Sequence, residues 1–335
     1  MLAVVKEKPA PGAALKDVPL PRLKKDEVLV KVLYASICGT DIGIYDWIPW
    51  AAAHIKPPAI IGHEMAGEVV KINSSQKTAL KVGDKVSSET HIFCLNCYQC
   101  QIKNYHVCEN MKLFGIGRPG AFAEFATIPI RTTWKNNPKI DPELMSVQEP
   151  LGNAVNAVTK ADVSGKKVLI MGLGPTGLCA GAVAKVYGAK EVVGINNSEY
   201  RRKLARKMGY FDRVTSKLSS KEYNTFDVVI EMSGNRLGID IAFNAVRIAG
   251  KFIAFGIPHE NITIDWGKHL INKELTIESV FGRSIWDTWK RTSQLLLAKN
   301  FALKDLITHR FQLKDFAKAM KVMKSQNCGK VLLIP

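Results

Sequence analysis

Four of the seven cysteines stand in one short segment, as Cys94-x-x-Cys97-x-x-Cys100-x7-Cys108. Four thiolates this close can form a tetrahedral shell around zinc, and a closed shell leaves no position for a substrate. A ferredoxin-like iron–sulfur run also uses Cys-x-x-Cys-x-x-Cys, but takes its fourth cysteine after three residues, with proline next. Here seven residues intervene and Glu109 follows, so structural zinc is the reading. A second set is dispersed: Cys38, the pair His63-Glu64, and Glu149. One thiolate, one imidazole and one carboxylate would hold a catalytic zinc with a fourth position open to water or a substrate oxygen. Singly these are ordinary: a core thiol, a turn histidine, a surface carboxylate. Their weight comes from occurring beside a nucleotide-binding pattern. Cys179 and Cys328 stand alone in apolar or C-terminal surroundings and read as inert.

That pattern is Gly172-Leu173-Gly174-Pro175-Thr176-Gly177, directly after an apolar strand and opening a helix. Glycines at these places permit the tight turn, let backbone N–H groups approach a pyrophosphate, and allow close helix–strand packing. About twenty residues further on, NAD-binding folds place an Asp or Glu on the adenosine ribose. The second strand instead ends in Asn196, with Arg201 and Arg202 close behind. Asn196 removes the charge that would repel a 2′-phosphate, and the arginines could pair with one. Equally, Asn196 could hydrogen-bond the ribose while the arginines form helix surface, so the cofactor is NAD or NADP.

Composition leaves the rest of the field open to exclusion. The hydrophobic fraction is 47% and the charged fraction 23%, ordinary for a folded chain. No run approaches the ~18 consecutive apolar residues of a membrane span. The N-terminus opens like a strand rather than a signal peptide, which implies a cytoplasmic protein without disulfides. The 47 Lys+Arg residues exceed the 30 Asp+Glu by 17, but they are scattered. Without a basic tail or aromatic-basic interleaving, the charge speaks for solubility more than for nucleic acid.

The elements that must position these residues fall into two styles. Residues 26–34, 66–72 and 85–87 alternate like strands, and short strands broken by Gly, Pro and Asp recur to about residue 130. This is a mostly β region with long loops. Past Pro150 the chain alternates: a helical stretch from Val155, then strands at 167–171, 191–195, 226–231 and 251–255. Helices are expected between them at 175–187, 199–208 and 237–248. Strands separated by helices imply right-handed βαβ units and a parallel sheet. Helices at 286–298 and 313–324 and a strand at 330–334 close the pattern.

In order and kind these residues resemble the zinc-dependent medium-chain alcohol dehydrogenases over nearly the whole chain. The matching motifs are Cys38-Gly39-Thr40-Asp41, Gly62-His63-Glu64, the cysteine quartet and the glycine fingerprint. The resemblance implies an α/β fold: a GroES-like, mostly β catalytic domain (1–150, completed by 286–335) and an inserted Rossmann domain (151–285) with a doubly wound parallel sheet. Substrate and nicotinamide would meet in the cleft between them. Cys38, His63 and Glu149 would ligate the catalytic zinc, with Glu64 able to exchange onto it. Thr40 would begin the proton relay, Asp41 would orient His63, and His91 would stand near the substrate. Arg283 reads as a pocket-rim or interface residue.

Stretches at 38–47, 55–58, 89–92, 148–154, 282–289 and 307–309 narrow the resemblance further. They imply oxidation of L-threonine to 2-amino-3-oxobutanoate, with a polyol or sugar (sorbitol, a butanediol, an aldose) as the alternative substrate. A homo-oligomer is implied, the tetramer being common in the family, with neither nucleic acid nor membrane as partner. The remote alternative is a zinc-ribbon nucleic-acid binder, against which the open metal set counts. Two departures bear on substrate and cofactor: Gly43 stands where a relay histidine is common, and Asn196 where an acid is common.

Overall fold

The computed structural model describes residues 1–258 and 260–335. They form two compact units, Met1–Glu149 with Ile307–Pro335, and Pro150–Leu306. The return to the first unit therefore comes at Ile307 rather than at the expected residue 286. The helix Asp287–Leu297 stays with the second unit. The segment that follows it is tied there as well: the Tyr210 hydroxyl accepts from the Ala302 N–H at 2.6 Å, and Lys207 pairs with Asp305 at 2.7 Å.

The first unit is built on a seven-stranded sheet with Glu27–Ser36 near its middle. Alternation explains that strand: Val28, Val30 and Val32 enter the core while Lys31 faces out. It runs antiparallel to Glu64–Asn73, in a register that sets Ser36 opposite Glu64. On its other side the C-terminal strand Lys330–Ile334 pairs antiparallel, with Leu332 opposite Ser36. Since a slip by one residue would turn every side chain to the other face, the buried valines hold this register. Three residues distant in sequence, Ser36, Glu64 and Lys330, are thereby brought together. Gly62, with φ +93°, makes the turn before His63, where a Cβ would lie 2.2 Å from the Phe122 ring.

The second unit holds a six-stranded parallel sheet in the order Arg213–Thr215, Glu191–Ile195, Lys167–Met171, Phe226–Glu231, Val246–Ala254, Thr276–Ser279. In chain order this is 3-2-1-4-5-6, with the reversal between Lys167–Met171 and Phe226–Glu231. Val168, Leu169 and Ile170 are all fully buried, as a strand covered on both faces requires. The expected Rossmann strands are in place.

Two expectations about elements need correction. The helix after Ala154 begins at Gln148, so Glu149 sits in its first turn. The helix expected over 237–248 runs over Arg236–Ala245, and residues 246–248 already belong to the next strand. The buried Lys273 ammonium donates to the carbonyls of Phe243 (2.6 Å) and Val246 (2.8 Å), satisfying carbonyls at the helix end where the chain turns into the sheet. The strands Thr276–Ser279 and Ile307–Gln312 had no clear sequence signal.

Candidate functional site

The cysteine quartet lies on a loop threaded by a short helix, Tyr98–Gln101, with Leu95 and Lys103 in left-handed turns. Cys94 and Cys100 sulfurs are 4.0 Å apart, and those of Cys97 and Cys108 are 3.9 Å apart. All four sulfurs lie within 4.8 Å of one another. A disulfide would need about 2.05 Å. A tetrahedron with Zn–S arms of about 2.3 Å has edges near 3.8 Å, so the spacing fits zinc. The Asn96 backbone N–H lowers the Cys94 thiol to about 6, whereas burial pushes Cys108 up. A dication in the middle would favour the thiolate at all four.

The second cluster is assembled from separate elements of the same unit. Cys38 is the N-cap of the helix Gly39–Asp46, and its N–H donates to Asp41 Oδ2 at 2.9 Å. Its sulfur lies 3.7 Å from Thr40 Oγ1. His63 follows the Gly62 turn, with Nδ1 3.7 Å from Asp41 Oδ1, and both of these buried atoms lack a hydrogen-bond partner. Ligand atoms of Cys38, His63 and Glu64 lie within 4.8 Å of one another. Glu149 is buried in the first turn of its helix but does not complete such a group with Cys38 and His63. It is close enough to raise the pKa of His63 by its charge. Burial alone would lower that imidazole, but Asp41, Cys38 and Glu149 hold it at about 10.

Glu64 has partners that sequence reasoning missed. Lys330 Nζ donates to Glu64 Oε1 at 2.6 Å and also pairs with Oε2, to which the Ser36 hydroxyl donates. The ammonium also reaches the Ile37 carbonyl at 3.3 Å. Lys330 is 2% exposed and Glu64 is fully buried, an ion pair sealed from water. Burial would lower the pKa of Lys330, but Glu64 more than offsets it and keeps the ammonium charged. The only sequence signal was a lysine at the head of an apolar strand, with nothing to name its partner.

The donor set suits zinc on chemical grounds: thiolate, imidazole and carboxylate in one buried place, with anionic neighbours that call for a cation. His91 stands at a strand edge, buried, its Nδ1 2.7 Å from Glu89 Oε1, which also accepts the His91 N–H at 2.9 Å. Thr40 is half-buried beside Cys38. At Gly43 a Cβ would stand 2.8 Å from the tip of the Ile48 side chain, so a larger residue there would require Ile48 to shift.

In the second unit the fingerprint turn is tight at its ends and open in the middle. Gly172 has φ +95°, and a Cβ at Gly177 would fall 1.9 Å from the Gly172 carbonyl oxygen. Around Gly174, the N-cap of the helix Pro175–Val186, nothing lies within 4 Å of a Cβ position. Pro175 occupies the first turn of that helix, where its missing N–H costs nothing, and Thr176 follows it. This is a cradle shaped for close approach of a pyrophosphate. Asn196 ends the strand Glu191–Ile195, and Arg201 and Arg202 lie in the helix Glu199–Met208. Arg283 is not at a rim: it is fully buried and donates to Asn153 Oδ1 at 2.8 Å. Gly152 makes room for its stem, since a Cβ there would meet Arg283 Cδ at 2.5 Å.

Comparison with known proteins agrees with both halves. The Alcohol dehydrogenase GroES-like domain family matches residues 24–138, and the Zinc-binding dehydrogenase family matches residues 175–298. L-threonine 3-dehydrogenase of Pyrococcus horikoshii is 43% identical, covering 100% of this chain and 98% of its own. The enzyme of that name from Bacillus subtilis is 40% identical over 100% of this chain and 99% of its own. Among solved structures, a zinc-binding dehydrogenase from Sinorhizobium meliloti bound to NADP superposes with a TM-score of 0.91 at 25% identity, covering 100% of this chain and 99% of that one. An alcohol dehydrogenase from Escherichia coli complexed with NADH gives 0.90 at 26% identity, with the same coverage.

Proposed function

The chain belongs to the zinc-binding alcohol dehydrogenase family and is a zinc-dependent oxidoreductase that passes hydride to NAD or NADP; we propose that its substrate is L-threonine, oxidised to 2-amino-3-oxobutanoate. The observation that carries the substrate is the 43% identity to an L-threonine 3-dehydrogenase across the whole chain. The Cys38–His63–Glu64 cluster supports the chemistry.

In this reading Cys38 and His63 would hold the catalytic zinc together with a carboxylate, Glu149 or the exchangeable Glu64, of which Glu64 is the one that stands in the observed group, and the cysteine quartet would hold the structural zinc. When bound, the metal supplies Lewis acidity to the alcohol and the nicotinamide accepts the hydride. Asp41 keeps His63 in one orientation, so its other nitrogen serves as ligand. Lys330 and Ser36 hold Glu64 by its oxygens, restraining the carboxylate that would otherwise compete with the substrate for the metal. Thr40 Oγ1, beside Cys38 Sγ, takes the hydroxyl proton and hands it outward. His91, whose ring Glu89 steadies through Nδ1, is the further residue placed beside the substrate in this reading. Backbone N–H groups of the Gly172–Gly177 turn hold the pyrophosphate.

The second reading is a polyol substrate, since the same metal residues would serve it and Gly43 stands where a relay histidine is common. A second copy of the chain is the proposed partner. The strand Thr276–Ser279 is the free edge of its sheet and carries exposed Ile277, with Phe281 exposed just beyond it. We place the protein in the cytoplasm, where seven free cysteines stay reduced; among the described residues no helix is long and apolar enough to cross a membrane.

Initial rates with L-threonine and with sorbitol, each against NAD and NADP, test the substrate. Turnover favouring threonine supports the proposal; turnover with sorbitol alone overturns it while leaving the zinc chemistry in place.

A further inference from the structure

Glu231 is the last residue of the strand Phe226–Glu231, 2% exposed and unused by the chemistry above. Among the described residues no Lys, Arg or His pairs with it. Burying a carboxylate without a cation is costly, so its hydrogen bonds have to compensate. Those bonds come from the turn that follows. Oε1 accepts the Ser233 N–H at 2.8 Å and the Ser233 hydroxyl, and the Gly234 N–H reaches Oε1 at 3.2 Å and Oε2 at 3.3 Å. Every partner is a donor, the pattern an ionised carboxylate takes. The Ser233 oxygen in turn accepts the Asn235 N–H at 3.1 Å, and Asn235 caps the helix Arg236–Ala245 by accepting the Gly238 N–H at 3.1 Å. One carboxylate therefore sets the path of the chain from strand to helix.

The place is the switch point of the sheet. Glu231 is in register with Met171 across the two strands where the order reverses, and the Met232 N–H donates to the Met171 carbonyl at 2.8 Å. The Ser233 turn abuts the glycine fingerprint: a Cβ at Gly172 would stand 2.9 Å from the Ser233 nitrogen. The end of the next strand closes on the same carboxylate, since a Cβ at Gly256 would meet Glu231 Oε2 at 2.5 Å. Ser233 itself stays exposed.

In a doubly wound sheet the adenosine lies over the second strand and the pyrophosphate over the first turn, so the other nucleoside has to cross the switch point onto the strands beyond it. With the dinucleotide in the Gly172–Gly177 cradle, as the proposed function has it, we propose that Glu231 is a positioning residue for the nicotinamide half. Its carboxylate holds the Ser233–Asn235 turn as the wall on which that half rests, without touching the cofactor itself.

Calorimetric titration of the zinc-loaded protein tests this with two probes: the tighter-binding of NADH and NADPH, and AMP, which fills the adenosine half alone. Glu231→Gln sets an amide nitrogen among those donors and should weaken the dinucleotide about tenfold or more while AMP changes by less than about twofold. Ser233→Ala removes one donor and leaves the carboxylate; it should weaken the dinucleotide about threefold and again spare AMP. That variant carries the test if Glu231→Gln does not fold. Equal losses for the two probes overturn the proposal, because Glu231 would then support the whole sheet rather than one half of the ligand. Unchanged dinucleotide affinity in the variants overturns it too. Binding of neither probe by the unaltered protein overturns the cradle itself, and the proposal with it.

Discussion

The two clusters of the first unit proposed to hold cations are built by opposite routes. The cysteine quartet comes from one loop, and its four sulfurs meet because the chain between them turns back on itself. The Cys38–His63–Glu64 cluster comes from a helix cap, a glycine turn and the start of a strand, and its counter-ion Lys330 lies 266 positions from Glu64. A local cluster is protected by a few turns. A dispersed one is protected by the register of a sheet, so the same chemical change should do different harm in the two places.

The widest separation is expected from paired cysteine substitutions. Cys38→Ser should cut turnover by about a thousandfold or more, since metal polarisation carries several kcal/mol of the barrier. Its circular dichroism should be unchanged and its zinc content lower by the catalytic equivalent. Cys97→Ser should lose the structural equivalent instead, and the 94–108 loop should become the site of proteolytic cleavage while much of the activity survives. Equal losses of activity in the two variants would erase the distinction.

Next in size is the buried ion pair. Lys330→Met leaves the Glu64 carboxylate enclosed without its ammonium, which should cost about 3–5 kcal/mol in denaturant unfolding. Lys330→Met combined with Glu64→Gln should recover part of that loss; an additive double variant would mean the pair contributes no coupling.

A third effect depends on pH and should exist only without metal. His63 is raised from about 6.5 to about 10, so its protonated form is stabilised by folding. In chelator-treated protein that contribution is fully present below about 6.5 and is lost as the pH rises through about 10. Unfolding free energy should fall by about 2–5 kcal/mol over that window. Zinc-loaded protein, whose His63 is already neutral, should lack this component.

The smallest expected effects come from the residues behind the ligands. Asp41→Asn, at the buried site, should weaken zinc binding there by about 10–100-fold. Asn110→Ala, whose amide lies 3.7 Å from Cys94 at an exposed edge, should change zinc affinity at the quartet by less than about tenfold. Competition with a chromophoric chelator measures both.

The same contrast governs what could be read in advance. The quartet and the glycine turn were legible because spacing along the chain is their geometry. Cys38 and the pair His63-Glu64 were legible as chemistry, yet only the strand register shows Glu64 clasped by Ser36 and Lys330. Arg283 was read as a rim or interface residue because a guanidinium is expected at a surface; its full burial, with the notch at Gly152 making room for its stem, excludes the rim. The parallel sheet was recovered from the alternation of apolar strands with helices. The end of the helix at Ala245 was not, since its terminal carbonyls are satisfied by Lys273, remote in sequence. The boundary at residue 307 escaped for a related reason: a helical pattern does not say which core the helix joins.

The interruption of the first unit by the second bears on how the protein is made. As the nascent chain leaves the ribosome, residues 150–306 emerge as one contiguous piece and can complete their sheet. The first unit must wait, because its large sheet still lacks Ile307–Gln312 and Lys330–Ile334. Until Lys330 arrives, Glu64 has no ammonium beside it, and the pocket proposed for the catalytic metal stays unsealed. Both proposed metal sites have their ligating residues early, but only the dispersed one waits for the last strand to supply the ammonium that encloses its carboxylate.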